Sequence, residues 1–220
     1  MKKMLSLLLF AGLSATAFAQ SDKYVKAMEP KVAAFDTTRR ADGLKDLANA
    51  FERIADAEKT QWLPYYYAAL AQVTSGYFMT DPQRGASGMA GNVDAVADKA
   101  EALLAKAEAL QKENSEIYLV KKMIATLRMT ADPMNRYMTY GPQAQEALQT
   151  AKRLNPDNPR VYLLEGQDKL YTPEQFGVSK TEAKKLFETA LQKFDASKPE
   201  NAIAPAWGRS NAEYLLSQVK

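Results

Sequence analysis

The 220-residue chain contains neither cysteine nor histidine. Without cysteine no disulfide forms, even in an oxidising compartment, so stability rests on packing. Without histidine, Ser-His-Asp and Cys-His catalysis, the usual zinc sites and the common haem ligand are excluded. The side chain best suited to proton transfer near neutral pH is also missing. An enzyme would have to rely on carboxylates, Lys, Tyr, Ser or Thr. The expectation is a non-enzymatic protein with no catalytic residues, no metal and no cofactor. β-Branched runs are scarce too, and after residue 19 no stretch is apolar enough to span a bilayer.

The amino terminus carries a targeting pattern. Lys2 and Lys3 precede an apolar run from Leu5 to Leu13, and Ala17-Phe18-Ala19 has the small-x-small form of a cleavage site. The run is shorter than the roughly 20 residues a spanning helix needs. No cysteine follows, so the signal is not that of a lipoprotein. The expectation is residues 1–19 as a cleaved signal peptide, 20–220 as a single helical domain, and a location in the periplasm or beyond. Removing Lys2 and Lys3 lowers the formal charge from +3 to +1 (3 − 2 = +1). A charge this small gives no strong attraction to nucleic acid.

What is present is helix-forming. Apolar positions recur every three or four residues, which predicts an all-α chain of roughly 8 to 10 helices. The expected helices run from about Asp22 to Phe35, Leu44 to Glu58, Leu63 to Met79, Val93 to Leu110 and Ser115 to Thr130. A short piece, Met134 to Tyr140, is expected to be cut off by Gly141-Pro142. Helices from Pro142 to Leu154, Val161 to Leu170, Lys180 to Phe194 and Ala206 to Gln218 complete the chain. Thr80 to Asn92, with Pro82, Gly85, Gly88 and Gly91, reads as a loop between paired helices. It lacks the Gly-Lys-Ser/Thr ending and the preceding strand of a phosphate cradle.

One pattern recurs four times: Ala50-Ile54-Ala57, Ala100-Leu104-Ala107, Ala144-Leu148-Ala151 and Ala183-Phe187-Ala190. Small residues let paired helices approach closely, and the bulky residue fills the groove between them. The triplet resembles the second-helix signature of a tetratricopeptide repeat. The third copy adds Pro156, Tyr162 and Gly166 at the expected offsets; the second has Tyr118 but Lys122 in place of the glycine. Successive copies lie 50, 44 and 39 residues apart (50, 100, 144, 183), longer than the repeat of about 34. The expected fold is a right-handed α-α solenoid of degenerate helix pairs. The stretch from Asn155 to Arg160, then Thr172-Pro173, Phe176-Gly177 and the last triplet, is similar to secreted tetratricopeptide-like proteins of Bacteroidetes type. It also has a weaker similarity to the helical periplasmic subunit of TRAP-type transporters. The resemblance spans about residues 115–195 and implies architecture rather than a ligand.

Five residues are candidates for partner contact: Tyr66, Tyr67, Arg128, Tyr137 and Arg160. Trp62, Tyr65, Tyr66 and Tyr67 lie close together, and three consecutive tyrosines point in directions about 100° apart around a helix, so one is expected to face outward. Arg128, Arg136, Tyr137 and Tyr140 surround the expected helix break, where Arg forks could clamp an anion or cap carbonyls. Carboxylate pairs such as Glu113 with Glu116 read as solvated helix ends. Trp207 reads as a seal on the last helix pair. The expected function is an exported scaffold contacting an envelope protein or peptide along a concave face lined by the first helices of each pair. A small-ligand accessory of a transport system, with its ligand between helix pairs, and a self-assembling envelope component are the alternatives.

Overall fold

The computed structural model describes residues 23–80, 93–172 and 179–219. The signal-peptide reading, the Gly85–Gly91 loop and the Pro173 to Gly177 element lie outside them. Among the described residues there are nine helices and no strand. They are α1 (23–35), α2 (Ala41–Glu58), α3 (Trp62–Thr80), α4 (Val93–Leu110), α5 (Ser115–Ala131), α6 (Pro133–Leu154), α7 (Pro159–Tyr171), α8 (Lys180–Ala196) and α9 (Arg209–Gln218).

The helices stack as consecutive pairs, α3 with α4, α5 with α6 and α7 with α8, and α2 lies against α3. α3 also touches α5, and α5 touches α7, so these three form an inner row, with the second helices outside. The chain is an all-α solenoid of helix pairs. The alanine triplets explain the pairing. Ala100, Leu104 and Ala107 are buried, as are Ala144, Leu148 and Ala151, and Ala183, Phe187 and Ala190. The first triplet differs. The buried stripe of α2 is Leu44, Ala48, Phe51 and Ala55, while Ala50, Ile54 and Ala57 turn toward α1.

Helix ends follow local chemistry. Asn114, Asn158 and Ser179 each cap the helix they precede, accepting from Glu116, Arg160 and Thr181 N–H groups at 2.8, 3.0 and 3.2 Å. Two expectations are corrected. α6 is not cut at Gly141-Pro142 but runs unbroken from Pro133, with Asp132 as its cap and Pro142 inside it. Pro142 deprives the carbonyl one turn earlier of a donor; Met138 there is exposed, so water can supply one. α9 begins at Arg209 rather than Ala206, because Gly208 takes a φ of +104° immediately before it. A Cβ at that glycine would also come within 2.9 Å of the Leu163 side chain.

Close helix approach is sharpest at Gly166 on α7. A Cβ there would lie 2.5 Å from a ring carbon of Phe187, the fully buried centre of the fourth triplet. Gly166→Ala is therefore expected to destabilise the protein by about 1–3 kcal/mol through overpacking. A lowered urea midpoint checks this, and Phe187→Leu in the same chain should recover part of the loss.

Candidate functional site

Four of the five sequence candidates are engaged by the chain's own groups, and three of them, Tyr66, Tyr67 and Arg160, are buried. α3 is apolar on nearly every side because α2, α4 and α5 all pack against it. Tyr65, Tyr66 and Tyr67 are consequently all buried, which corrects the expectation that one faces outward. Their hydroxyls need partners, and two find them across long sequence distances. Tyr66 Oη donates to Glu116 Oε2 at 2.7 Å, and Tyr67 Oη donates to the Ala204 carbonyl at 3.1 Å. Burial, followed by the Glu116 carboxylate, pushes the Tyr66 phenol well above its ordinary range and keeps it a neutral donor.

Arg160 is 6% exposed and binds the same carboxylate. Its Nε lies 2.9 and 3.0 Å from the two Glu116 oxygens, and its Nη2 lies 2.8 Å from Oε1. Nη2 also donates to the Pro205 carbonyl at 2.7 Å and Nη1 to the Trp207 carbonyl at 3.3 Å. Trp207 Nε1 donates to Tyr66 Oη at 2.8 Å, and Asn158 Nδ2 donates to Glu116 Oε1 at 2.6 Å. Glu116, read from sequence as a solvated helix end, is thus the centre of a buried network. Glu116 itself keeps 12% of its side chain exposed, while Ile203, Trp207, Asn158 and Arg160 are buried. Tyr67 and Arg160 do contact a peptide, but it is this chain's own residues 204–207, lying across the first turns of α3, α5 and α7. That correction closes this part of the expected partner face.

Arg128 and Arg136 meet acids on α4. Arg128 Nη2 lies 2.7 Å from Asp98 and 2.8 Å from Glu101, while Arg136 forks onto Asp94 at 2.7 and 2.8 Å. Arg136 hydrogen bonds hold the Asp94 carboxyl below its usual range. Arg136 Nη1 also donates to the Arg128 carbonyl at 3.2 Å, so the capping alternative describes this end of α5. The anion-clamp geometry is taken up by the chain's own carboxylates. Tyr137 alone among the five stands on the surface, 61% exposed beside Met134 and Met138 at 92% and 81%. Sequence reasoning missed the two methionines; Tyr137 and Met138 lie three and four residues after Met134, a spacing that places all three on one helix face and was the available signal.

It also missed a groove of about 340 Å³ between α1 and α2. Its floor is apolar: Ala27 from α1, and Ala50, Ile54 and Ala57 from α2. Lys23, Lys31 and Arg53 stand around it with Glu58. Tyr24 lines it as well. That residue is 6% exposed, and its hydroxyl has no hydrogen-bond partner among the described residues. The legible signal was the first alanine triplet, which has α1 rather than a complete helix pair to cover it. The described residues hold no group of three or more acidic, His or Cys side chains placed for a metal ion.

The buried network generates one prediction. Glu116→Leu leaves Arg160 charged and without its carboxylate, at an expected cost of about 3–5 kcal/mol. Chemical denaturation followed by tryptophan emission reads both the loss and the altered surroundings of Trp207.

No family model and no curated protein matches the sequence. Among solved structures, the chain is similar to the HusA haemophore from Porphyromonas gingivalis, with a TM-score of 0.77 and 34% sequence identity. The match covers 90% of this chain and 92% of that one. Identity at that level over almost the whole of both chains places this protein in the HusA haemophore family.

Proposed function

We propose that the protein is an exported carrier that captures a haem-type tetrapyrrole outside the cytoplasm. The observation that carries this is the family membership, since the solved relative is a haemophore. In this reading residues 1–19 are the export signal, the helix pairs are degenerate right-handed tetratricopeptide-like units, and the protein is not an enzyme. No helix among the described residues is long and apolar enough to cross a membrane, which is compatible with a carrier.

The absence of histidine does not conflict with this. It removes the common iron ligand, but a macrocycle also offers a large apolar face and carboxylates. Apolar contact supplies most of the binding energy of such ligands, with a few polar groups fixing orientation. The available side chains suit the macrocycle and its acids better than its iron. We therefore expect saturable binding of haem to the purified protein, seen as a shifted absorption band, with metal-free protoporphyrin binding comparably. Failure of both to bind removes the carrier reading.

The scaffold reading remains as a second one, supported by the exposed Met134, Tyr137 and Met138 surface. Native mass spectrometry of the protein from its own envelope separates them. A retained tetrapyrrole is the expected result; a retained protein partner without one would favour the scaffold.

A further inference from the structure

We propose that the groove between α1 and α2 is the ligand seat, and that it selects a planar apolar ligand carrying carboxylates. This rests on the carrier reading above. Three observations converge on the groove. The first concerns the repeat. The alanine triplet is buried in α4, α6 and α8, but in α2 it forms the floor of an open groove. Small side chains at Ala27, Ala50 and Ala57 leave a shallow surface that a flat ring can approach, with Ile54 as the bulkier contact.

The second is charge. Among the described residues that line it, Lys23, Lys31 and Arg53 surround the floor and Glu58 opposes them, a balance of +2 (3 − 1). Lys31 Nζ gives one bond to the Ala27 carbonyl at 3.1 Å and, as an ammonium, carries two further donors. An apolar floor edged by cations complements an amphiphile with an apolar body and acidic ends.

The third is Tyr24. Its buried hydroxyl lacks a partner, an arrangement that costs free energy unless something supplies an acceptor. Burial, and then the nearby Glu58 carboxylate, raise the Tyr24 pKa, so the phenol is neutral at physiological pH. A neutral phenol donates a hydrogen bond; it suits a carboxylate oxygen better than it suits metal ligation. The first turns of the inner row offer no comparable seat, because Ile203 and Trp207 already fill them.

The test titrates the protein with haem and with haem dimethyl ester, which keeps the ring and loses the acids. Ala57→Trp, at an exposed position, and Ala50→Trp obstruct the floor and should each weaken haem binding at least about tenfold. Lys31→Gln with Arg53→Gln, and separately Tyr24→Phe, should weaken haem by about tenfold and leave the ester unchanged, since only the acid makes charge-assisted bonds. Circular dichroism confirms that each variant is folded. If wild type binds haem and both tryptophan variants bind it equally well, the seat is elsewhere and the carrier reading survives. If the ester binds as tightly as haem while the tryptophan variants lose both, the seat stands and carboxylate selection is overturned. If wild type binds neither, the carrier reading fails and the seat falls with it.

Discussion

The Glu116–Arg160 pair is the contact on which the inner row depends. A buried ion pair is costly unless its remaining donors and acceptors are answered. Here they are. Tyr66 and Asn158 donate to the carboxylate, and the Pro205 and Trp207 carbonyls accept from the guanidinium. The carboxylate also sits in the first turn of α5, where a negative charge is favoured by the helix dipole. One pair therefore joins α3, α5, α7 and the segment before α9. Asp36, after α1, adds a further link by accepting from the Gly208 N–H at 3.3 Å. The segment after α1 and the segment before α9 are thereby joined across the stack.

This closure changes how a helical solenoid can bind. An open stack presents its inner helices to a partner. In this protein the N-terminal turns of those helices are covered by the chain itself. Among the described residues, the α1–α2 groove and the exposed start of α6 lie outside that cover, at the margins of the stack. The same repeated triplet that packs three helix pairs becomes, at the amino-terminal margin, an uncovered apolar floor. The packed and the uncovered copies share one chemical pattern and differ in what lies opposite.

Under the proposed function, family membership and the lack of histidine are compatible, because a tetrapyrrole offers a protein more than its iron. Its ring can be held by apolar contact and its acids by cations and hydroxyls, with no demand on a metal-ligating side chain. In the proposed carrier reading the groove would supply those groups, and the rest of the chain supplies rigidity without disulfides. Rigidity comes from tight helix spacing at Gly166 and Gly76, where a single added carbon would meet Phe187 or Leu127 at 2.5 Å.

Much of the fold is set by local rules, and these were legible in the order of residues. Apolar periodicity marks the helices, Asn114 and Asn158 mark two starts, and the alanine triplets mark which helices pair. These depend on neighbours within a turn or two. The fate of the three tyrosines does not: α3 is apolar enough to be surrounded, and only the packed neighbours show that it is. Likewise, nothing local distinguishes Glu116 from a solvated helix end, since its partner lies 44 residues away and Trp207 lies 141 residues from Tyr66. The continuity of α6 through Pro142 depends on what holds its first turns: Asp132 caps them, and Arg136 forks onto Asp94 of α4 and reaches the Arg128 carbonyl, contacts that no local break signal reveals. The groove is likewise a property of what is missing beside α2, which appears only once the helices are stacked. Sequence alone determined most of the elements and their pairing because those are short-range; tertiary structure decided the continuity of α6 and which faces remained uncovered, because these depend on contacts spanning the stack.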